Sequence, residues 1–341
     1  MIGLGLIGYG YWGPNLLRNF YEQADTTVVA VSDLRPERLA QVSSRYPTVQ
    51  TTHHVEELLD DPRIDAVAIA TPVSTHYDLA MQALKKGKHV FVEKPFVAST
   101  EQALRLLDEA DRRNLQIMVD HTFVYTPAVR KIHELISSGR MGDIYYYDSV
   151  RVNLGLFQHD VNVIWDLAVH DLSIIDFLLP AKPVAVSATA MRHVPGEPEN
   201  IAYLTLFFEG SLIAHVHVNW LAPVKVRSTL IGGSQQMIVY DDLEPSEKVK
   251  IYDKGISVAN RESMYQNLVN YRLGDMWAPQ IGTTEALKVE ADHFISCLKE
   301  GKAPLTDGRA GMRVVRILEA ATQSIQDRGR PVELNTVEVK A

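Results

Sequence analysis

Apolar and polar positions come in short alternating blocks through the first third of the chain. Leu4-Gly5-Leu6-Ile7 predicts a strand, Gly8-Tyr9-Gly10-Tyr11-Trp12-Gly13 a turn, and Pro14 to Phe20 a helix with apolar residues at helical spacing. Thr27 to Ser32 predicts a second strand ending at Asp33, followed by a helix over Pro36 to Arg45. Ala66 to Ala70 is wholly apolar, as in a strand covered on both faces, and Tyr77 to Lys86 reads as a helix stopped by Gly87. The strand His89 to Val92, the helix Glu101 to Arg113 and the strand Gln116 to Val119 continue the alternation. Strand and helix in strict turn predict a doubly wound parallel sheet with helices on both faces, a Rossmann-type α/β domain.

The pattern changes after about residue 120. A helix at Pro127 to Ser138 is followed by β-rich segments at Ile144 to Val152, Val184 to Met191, Ile201 to Phe208, Leu212 to Asn219, Val226 to Ile231 and Gln236 to Tyr240. Turn residues such as Glu209-Gly210 and Gly232-Gly233 separate several of them, which predicts a large, mostly antiparallel open sheet. A helix near Trp165 to Leu178 interrupts this series, and two more, Glu285 to Lys299 and Gly311 to Ile325, close the chain. The expected division is residues 1–121 for dinucleotide binding and 122–341 for an α+β domain that binds substrate and builds the oligomer.

Composition narrows the function. The 341 residues are 46% hydrophobic and 22% charged, enough apolar material for two cores. Lys and Arg total 34 against 42 Asp and Glu, a formal charge of −8 without a basic run, so nucleic acid is not an expected partner. No apolar stretch reaches the roughly 18 residues of a membrane helix, and the first residues carry no basic leader segment. One cysteine, Cys297, forms no internal disulfide and agrees with a reducing, cytoplasmic setting.

The turn Gly8 to Gly13 is a GxGxxG fingerprint in the right context, with a strand before it and a helix after it. Gly8 permits the tight turn, Gly10 lets a pyrophosphate approach the backbone, and Gly13 allows the helix to pack on the strand. Tyr11 and Trp12 lie inside the loop and are counted with the cofactor site. Asp33 follows Gly13 by 20 residues, where its carboxylate can accept from ribose hydroxyls. The bland alternative is a structural strand-to-helix turn. An acid here favours NAD, while Arg35 could pair with a 2′-phosphate and keeps NADP open.

Thr71-Pro72-Val73-Ser74-Thr75-His76 and, further on, Gly87-Lys88-His89-Val90-Phe91-Val92-Glu93-Lys94-Pro95 resemble the TPxxxH and GKHVxxEKP motifs of the Gfo/Idh/MocA oxidoreductases. The resemblance continues through Ser138-Gly139-Arg140-Met141-Gly142 to Pro304-Leu305-Thr306-Asp307-Gly308 and so covers nearly the whole chain. It implies that Thr71, Pro72, His76, Glu93, Lys94 and Pro95 line the cofactor, with Lys94 beside the nicotinamide and the reacting carbinol. It also implies a cis bond before Pro95. An ammonium at the carboxyl end of a parallel strand can stabilise charge developing on a substrate oxygen. A solvated surface lysine is the alternative.

Asp166 and His170 stand at i and i+4 of the predicted helix, on one face. Spacing alone describes an ordinary exposed pair. The resemblance adds a DxxxH pattern that matches here, which makes His170 the candidate general base and Asp166 its orienting or substrate-binding partner. Asp171 lies about 100° round the helix and is set aside. Tyr125, Arg151, Asn153 and Trp165 are further candidate substrate contacts, each also explicable by packing, as are Asn219 and Trp220. His53-His54 marks a helix start, and His215 and His217 share one sheet face without further ligands, so no metal is expected.

The resemblance implies a dehydrogenase of sugars or cyclitols. Trp165 to Asp171 and Tyr240 to Pro245 look most like members acting on nucleotide sugars, UDP-N-acetylglucosamine or its uronate at C3, in surface polysaccharide synthesis. An inositol or free-sugar dehydrogenase is the alternative, and a non-catalytic NAD sensor is a second one. Relatives pair through the open sheet, so a homodimer or homotetramer is expected.

Overall fold

The computed structural model describes residues 1–155, 161–253, 255–257, 270–272 and 274–334. The chain forms two compact units, residues 1–126 with 284–316, and residues 127–283 with 317–341. A single cut after residue 121 assigns everything beyond it to the second part, whereas the contacts group 284–316 with the first unit.

In the first unit the elements are β1 (Ile2–Ile7), α1 (Gly13–Glu22), β2 (Thr26–Ser32), α2 (Pro36–Arg45), β3 (Gln50–Thr52), α3 (Val55–Asp60), β4 (Ala66–Ile69), α4 (Val73–Lys85), β5 (His89–Glu93), α5 (Thr100–Arg113) and β6 (Ile117–Asp120). All six strands are parallel, in the order β3-β2-β1-β4-β5-β6. Strand order reverses between β1 and β4, so the crevice at their carboxyl ends is where such a sheet takes a ligand. The central strands are buried throughout, which is why they read as unbroken apolar runs. Local chemistry sets the helix ends. Ser99 caps α5 by accepting from the Gln102 amide at 3.2 Å, and Asn114 ends it in a left-handed conformation at φ 55°.

The second unit opens with α6 (Pro127–Ser137) and β7 (Ile144–Leu154). A π-helical turn, Ile164–Ala168, leads into α7 (Val169–Leu178), and then come β8 (Pro183–Met191), β9 (Ile201–Phe208), β10 (Ile213–Asn219), β11 (Leu221–Gly233), β12 (Met237–Asp241) and β13 (Val249–Tyr252). The short strands β14 (Gly255–Ser257) and β15 (Asn270–Arg272) pair with each other, and β16 (Met276–Trp277) joins the main sheet. Two helices follow, α8 (Ala286–Glu300) and α9 (Gly308–Gln326), and β17 (Val332–Glu333) completes nine strands in the order β16-β13-β12-β11-β7-β10-β9-β8-β17. Every neighbouring pair except β10–β7 is antiparallel.

The two-sheet α/β architecture is the one the apolar pattern predicts. The differences lie in short or polar pieces. The three-residue β3 and the edge strands β13, β16 and β17 carry too little pattern to be read from sequence. Helix α8 belongs with the first unit because its apolar face carries Phe294, which packs edge-on against Phe20 and Phe91 at 6.3 and 5.5 Å between ring centres. Among the described residues no helix is long and apolar enough to cross a membrane.

Candidate functional site

The glycine turn begins where β1 ends. Gly8 has φ +93°, and a Cβ there would sit 2.6 Å from the Ala70 carbonyl oxygen, so only glycine fits. A Cβ on Gly13 would lie 2.3 Å from the Gly8 carbonyl oxygen, which closes the helix onto the strand. Gly10 differs, since the nearest atom to its Cβ would be Arg35 Nη2 at 3.6 Å. The loop is therefore tight on the protein side and open at Gly10, the arrangement a pyrophosphate needs.

Asp33 is buried at the carboxyl end of β2. Its Oδ2 accepts from the Tyr9 amide at 2.7 Å, and its Oδ1 accepts from the Arg35 amide at 2.9 Å and from Arg35 Nε at 3.3 Å. Burial works to raise its pKa, but those two amides and the guanidinium outweigh it and hold the carboxyl below its ordinary value. The Arg35 side chain is half exposed. Tyr11 stands out from the loop at 88% exposure, while Trp12 turns inward and its indole donates to Asp120 at 2.7 Å.

Thr71 and Pro72 lead into α4, and Pro72 occupies the position before its first turn. His76 is buried on that helix, with Nε2 2.8 Å from the Thr71 carbonyl and Nδ1 2.9 Å from the Pro95 carbonyl. It thereby ties the TPxxxH loop to the Glu93-Lys94-Pro95 turn. Burial outweighs these contacts and lowers the imidazole pKa. Glu93 ends β5 in register with Asp120 on β6, Lys94 follows half-buried, and the Lys94–Pro95 bond is cis. Two buried carboxyl groups here were not singled out from sequence. Asp120 and Glu290 are almost fully buried, and burial, followed by the nearby Asp120 charge, pushes the Glu290 carboxyl well above its ordinary value. The signal for Asp120 is an acid closing an apolar strand, while Glu290 sits unmarked within an ordinary helical pattern.

Tyr125, a candidate substrate contact, is 2% exposed, and its hydroxyl lies 3.1 Å from Thr306 Oγ1. It is a core group in this unit.

In the second unit Asp166 and Trp165 lie on the π-helical turn and His170 lies in the first turn of α7. The turn is marked by the Val169 amide donating to the Ile164 carbonyl, five residues back. All three side chains are half-buried. Trp220 Nε1 donates to Asp166 Oδ2 at 3.0 Å, and Trp165 Nε1 donates to Thr322 Oγ1 at 3.0 Å. Trp220, for which packing is one of the two readings, is fully buried. Arg151 departs from expectation. It is 4% exposed and its Nε donates to Asp171 at 2.7 Å, so its charge is spent on a buried ion pair rather than presented to a ligand. Asp171 thus leaves the face of His170 to serve β7. Asn153 stays half-buried near the end of β7.

His53 Nδ1 meets the Asp33 carbonyl at 3.1 Å, His215 pairs with Asp148 at 3.2 Å, and His217 stacks on Tyr203 at 4.3 Å. No group of three or more His, Cys, Asp or Glu suited to a metal occurs among the described residues.

A doubly wound sheet whose glycine turn is open at Gly10 and backed by Asp33 defines a nicotinamide-dinucleotide oxidoreductase. Residues 2–121 match the family model described as the oxidoreductase family, NAD-binding Rossmann fold, and residues 133–334 match its C-terminal alpha/beta domain. The chain belongs to the Gfo/Idh/MocA oxidoreductase family and is an NAD(P)-dependent dehydrogenase. It is 26% identical to scyllo-inositol 2-dehydrogenase (NAD(+)) of Bacillus subtilis, covering 98% of this chain and 95% of that one. It is 27% identical to UDP-N-acetylglucosamine 3-dehydrogenase of Acidithiobacillus ferrooxidans, covering 91% and 93%. The solved structure of that enzyme superposes with a TM-score of 0.80 at 25% identity, over 96% and 99% of the two chains. Levoglucosan dehydrogenase in complex with NADH and levoglucosan gives 0.82 at 20% identity, over 98% and 100%.

Proposed function

We propose that the protein oxidises a secondary alcohol of a sugar carried on a nucleotide, a UDP-N-acetylhexosamine or its uronate at C3. When bound, NAD supplies the hydride acceptor, C4 of its nicotinamide. Lys94 donates a hydrogen bond to the alcohol oxygen and offsets charge that develops on it. His170 takes the hydroxyl proton as the carbon-bound hydrogen leaves with its electron pair, and the product is the ketone. Asp166 orients His170 or a substrate hydroxyl. In the reverse direction His170 returns the proton.

The observation that carries this reading is the local support given to Lys94 and Asp166. Lys94 sits on a turn fastened by His76, and Asp166 is held by a buried indole. Tight fixing of polar side chains is what a preorganised site requires and what a solvated surface pair lacks. The nucleotide-sugar assignment rests on the UDP-N-acetylglucosamine 3-dehydrogenase relative and its superposed structure. A cyclitol is the second reading, favoured by two scyllo-inositol 2-dehydrogenases of Bacillus subtilis at 26% and 27% identity. Nicotinamide reduction with UDP-N-acetylhexosamines, their uronates, inositols and free hexoses separates the two. Turnover only with inositols would overturn the nucleotide-sugar assignment.

The open face of the nine-stranded sheet, where Tyr203 and Met191 are 55% and 64% exposed, is the proposed subunit interface of a dimer or tetramer. Light scattering tests it, and a monomer would refute it. The buried free thiol of Cys297 accords with a cytoplasmic setting.

A further inference from the structure

We propose that Asp120 is a positioning residue for the cofactor, which acts through the indole of Trp12 to fix the start of α1, where the pyrophosphate of NAD would rest. The inference rests on the NAD site and not on the identity of the sugar.

Two carboxyl groups hold the glycine loop, one at each end. At its entry the Tyr9 amide donates to Asp33 Oδ2 at 2.7 Å, and the Gly8 amide donates to the Ser32 carbonyl at 2.8 Å. At its exit Trp12 Nε1 donates to Asp120 Oδ2, also at 2.7 Å, across 108 positions of sequence. Gly10 and Tyr11 lie between these ties, the first with open space on its Cβ side and the second turned out to solvent.

Helix α1 begins at Trp12. Its carbonyl accepts from the Asn15 amide at 2.9 Å and from the Leu16 amide at 3.3 Å, so one residue connects Asp120 to the helix N-terminus. The unpaired amides of that end are the ones that meet an anion. An indole N–H is a donor only, and Asp120 is built to receive it. Asp120 is 2% exposed, and the Thr122 hydroxyl donates to its Oδ1, which leaves Oδ2 for the indole. Packing alone would be served by an apolar pair, with no carboxyl to desolvate. A directional bond also fixes how the indole is turned.

The bond joins the two halves of the sheet. Trp12 follows β1, whereas Asp120 ends the edge strand β6, with β4 and β5 between them. The tie therefore runs across the point where strand order reverses. A loop held there loses little freedom when the cofactor arrives, and such preorganisation raises affinity.

The test is calorimetric titration of the full-length protein with NAD, beside denaturant unfolding of the same preparation. Trp12→Phe keeps an aromatic side chain and removes the donor, and Asp120→Ala removes the acceptor. Each should weaken NAD binding by about three- to tenfold, the range for one lost hydrogen bond. The double variant should bind no more weakly than the weaker single one, because both changes cut one link. Asp120→Asn keeps an acceptor oxygen and should recover most of the loss. If Asp120→Ala does not fold, Asp120→Asn alone and combined with Trp12→Phe completes the cycle, the second carrying the whole loss and the first little of it. Hydrogen exchange without NAD gives a further readout. Amides of residues 9–16 should exchange faster in Trp12→Phe, while those of β4 and β5 keep the wild-type rate. Reduced stability with unchanged NAD affinity, or losses that add in the double variant, would mark a packing role and overturn the proposal.

Discussion

The buried indole of Trp220 donates to the carboxylate of Asp166 at 3.0 Å, from the end of β10 to the π-helical turn before α7. A carboxylate held this way cannot swing freely, and its charge is balanced by a donor that water cannot displace. Trp220→Phe keeps an aromatic ring but removes the donor, a loss of about 1.5–3 kcal/mol for a bond to a charged group, and the smaller ring adds a packing loss at this fully buried position. The expected result is about a tenfold or greater fall in kcat with the NAD dissociation constant unchanged, measured by steady-state kinetics and titration on one preparation.

Lys94 is assigned to the reacting oxygen and not to cofactor affinity. Lys94→Ala should lower kcat by about 10²–10³-fold, the usual cost of removing one charge-stabilising donor. NAD titration should be nearly unaltered. A large loss of NAD affinity with kcat intact would move Lys94 to cofactor binding alone.

Backbone crowding makes the glycine turn intolerant. A methyl group on Gly13 would meet the Gly8 carbonyl oxygen at 2.3 Å, so α1 or the turn must shift. Gly13→Ala should therefore lose NAD binding by fluorescence titration. Gly139, whose Cβ would meet nothing within 4 Å, has φ +75° and should cost some stability on replacement while leaving NAD binding intact.

The Arg151–Asp171 pair fastens β7 to α7 with both partners almost fully buried. Removing one partner leaves a buried charge unmatched. Arg151→Met should destabilise the protein by about 3–5 kcal/mol in denaturant unfolding. The double change Arg151→Met with Asp171→Leu should recover much of that loss.

Glu290 also ties stability to pH. Its pKa is raised in the folded chain, so the native state keeps a proton that the unfolded chain releases. The stability from this group is fully present below the unfolded value of about 4.3 and falls by ~1.4 kcal/mol per pH unit until the folded value is reached. Glu290→Gln does not titrate, so its stability relative to wild type should rise with pH above that point. Denaturant midpoints at a series of pH values measure the difference.

Much of this was legible in the residues. Alternating apolar runs mark β1, β2, β4, β5 and β6 because each is buried on both faces, and Gly8, Gly13 and Asp33 are recognisable by spacing because the turn permits few alternatives. Sequence leaves both substrate contact and packing open for Arg151 and Trp220, because a buried partner cannot be seen from the local pattern; the structure gives each one. Asp171 was that partner for Arg151, and nothing in the local pattern links them across 20 positions. Asp120 and Glu290 were missed likewise, since their meeting depends on α8 returning to the first unit.

The central claim is hydride transfer from a nucleotide sugar, assisted by Lys94 and His170. Its most direct test is single-turnover reduction of NAD, followed by nicotinamide absorbance, on mixing the full-length protein with UDP-N-acetylglucosamine or its uronate. The predicted result is one reduction per site in the wild type, slowed at least about a hundredfold in both Lys94→Ala and His170→Ala while NAD still binds. Reduction at the wild-type rate in either variant would contradict the account.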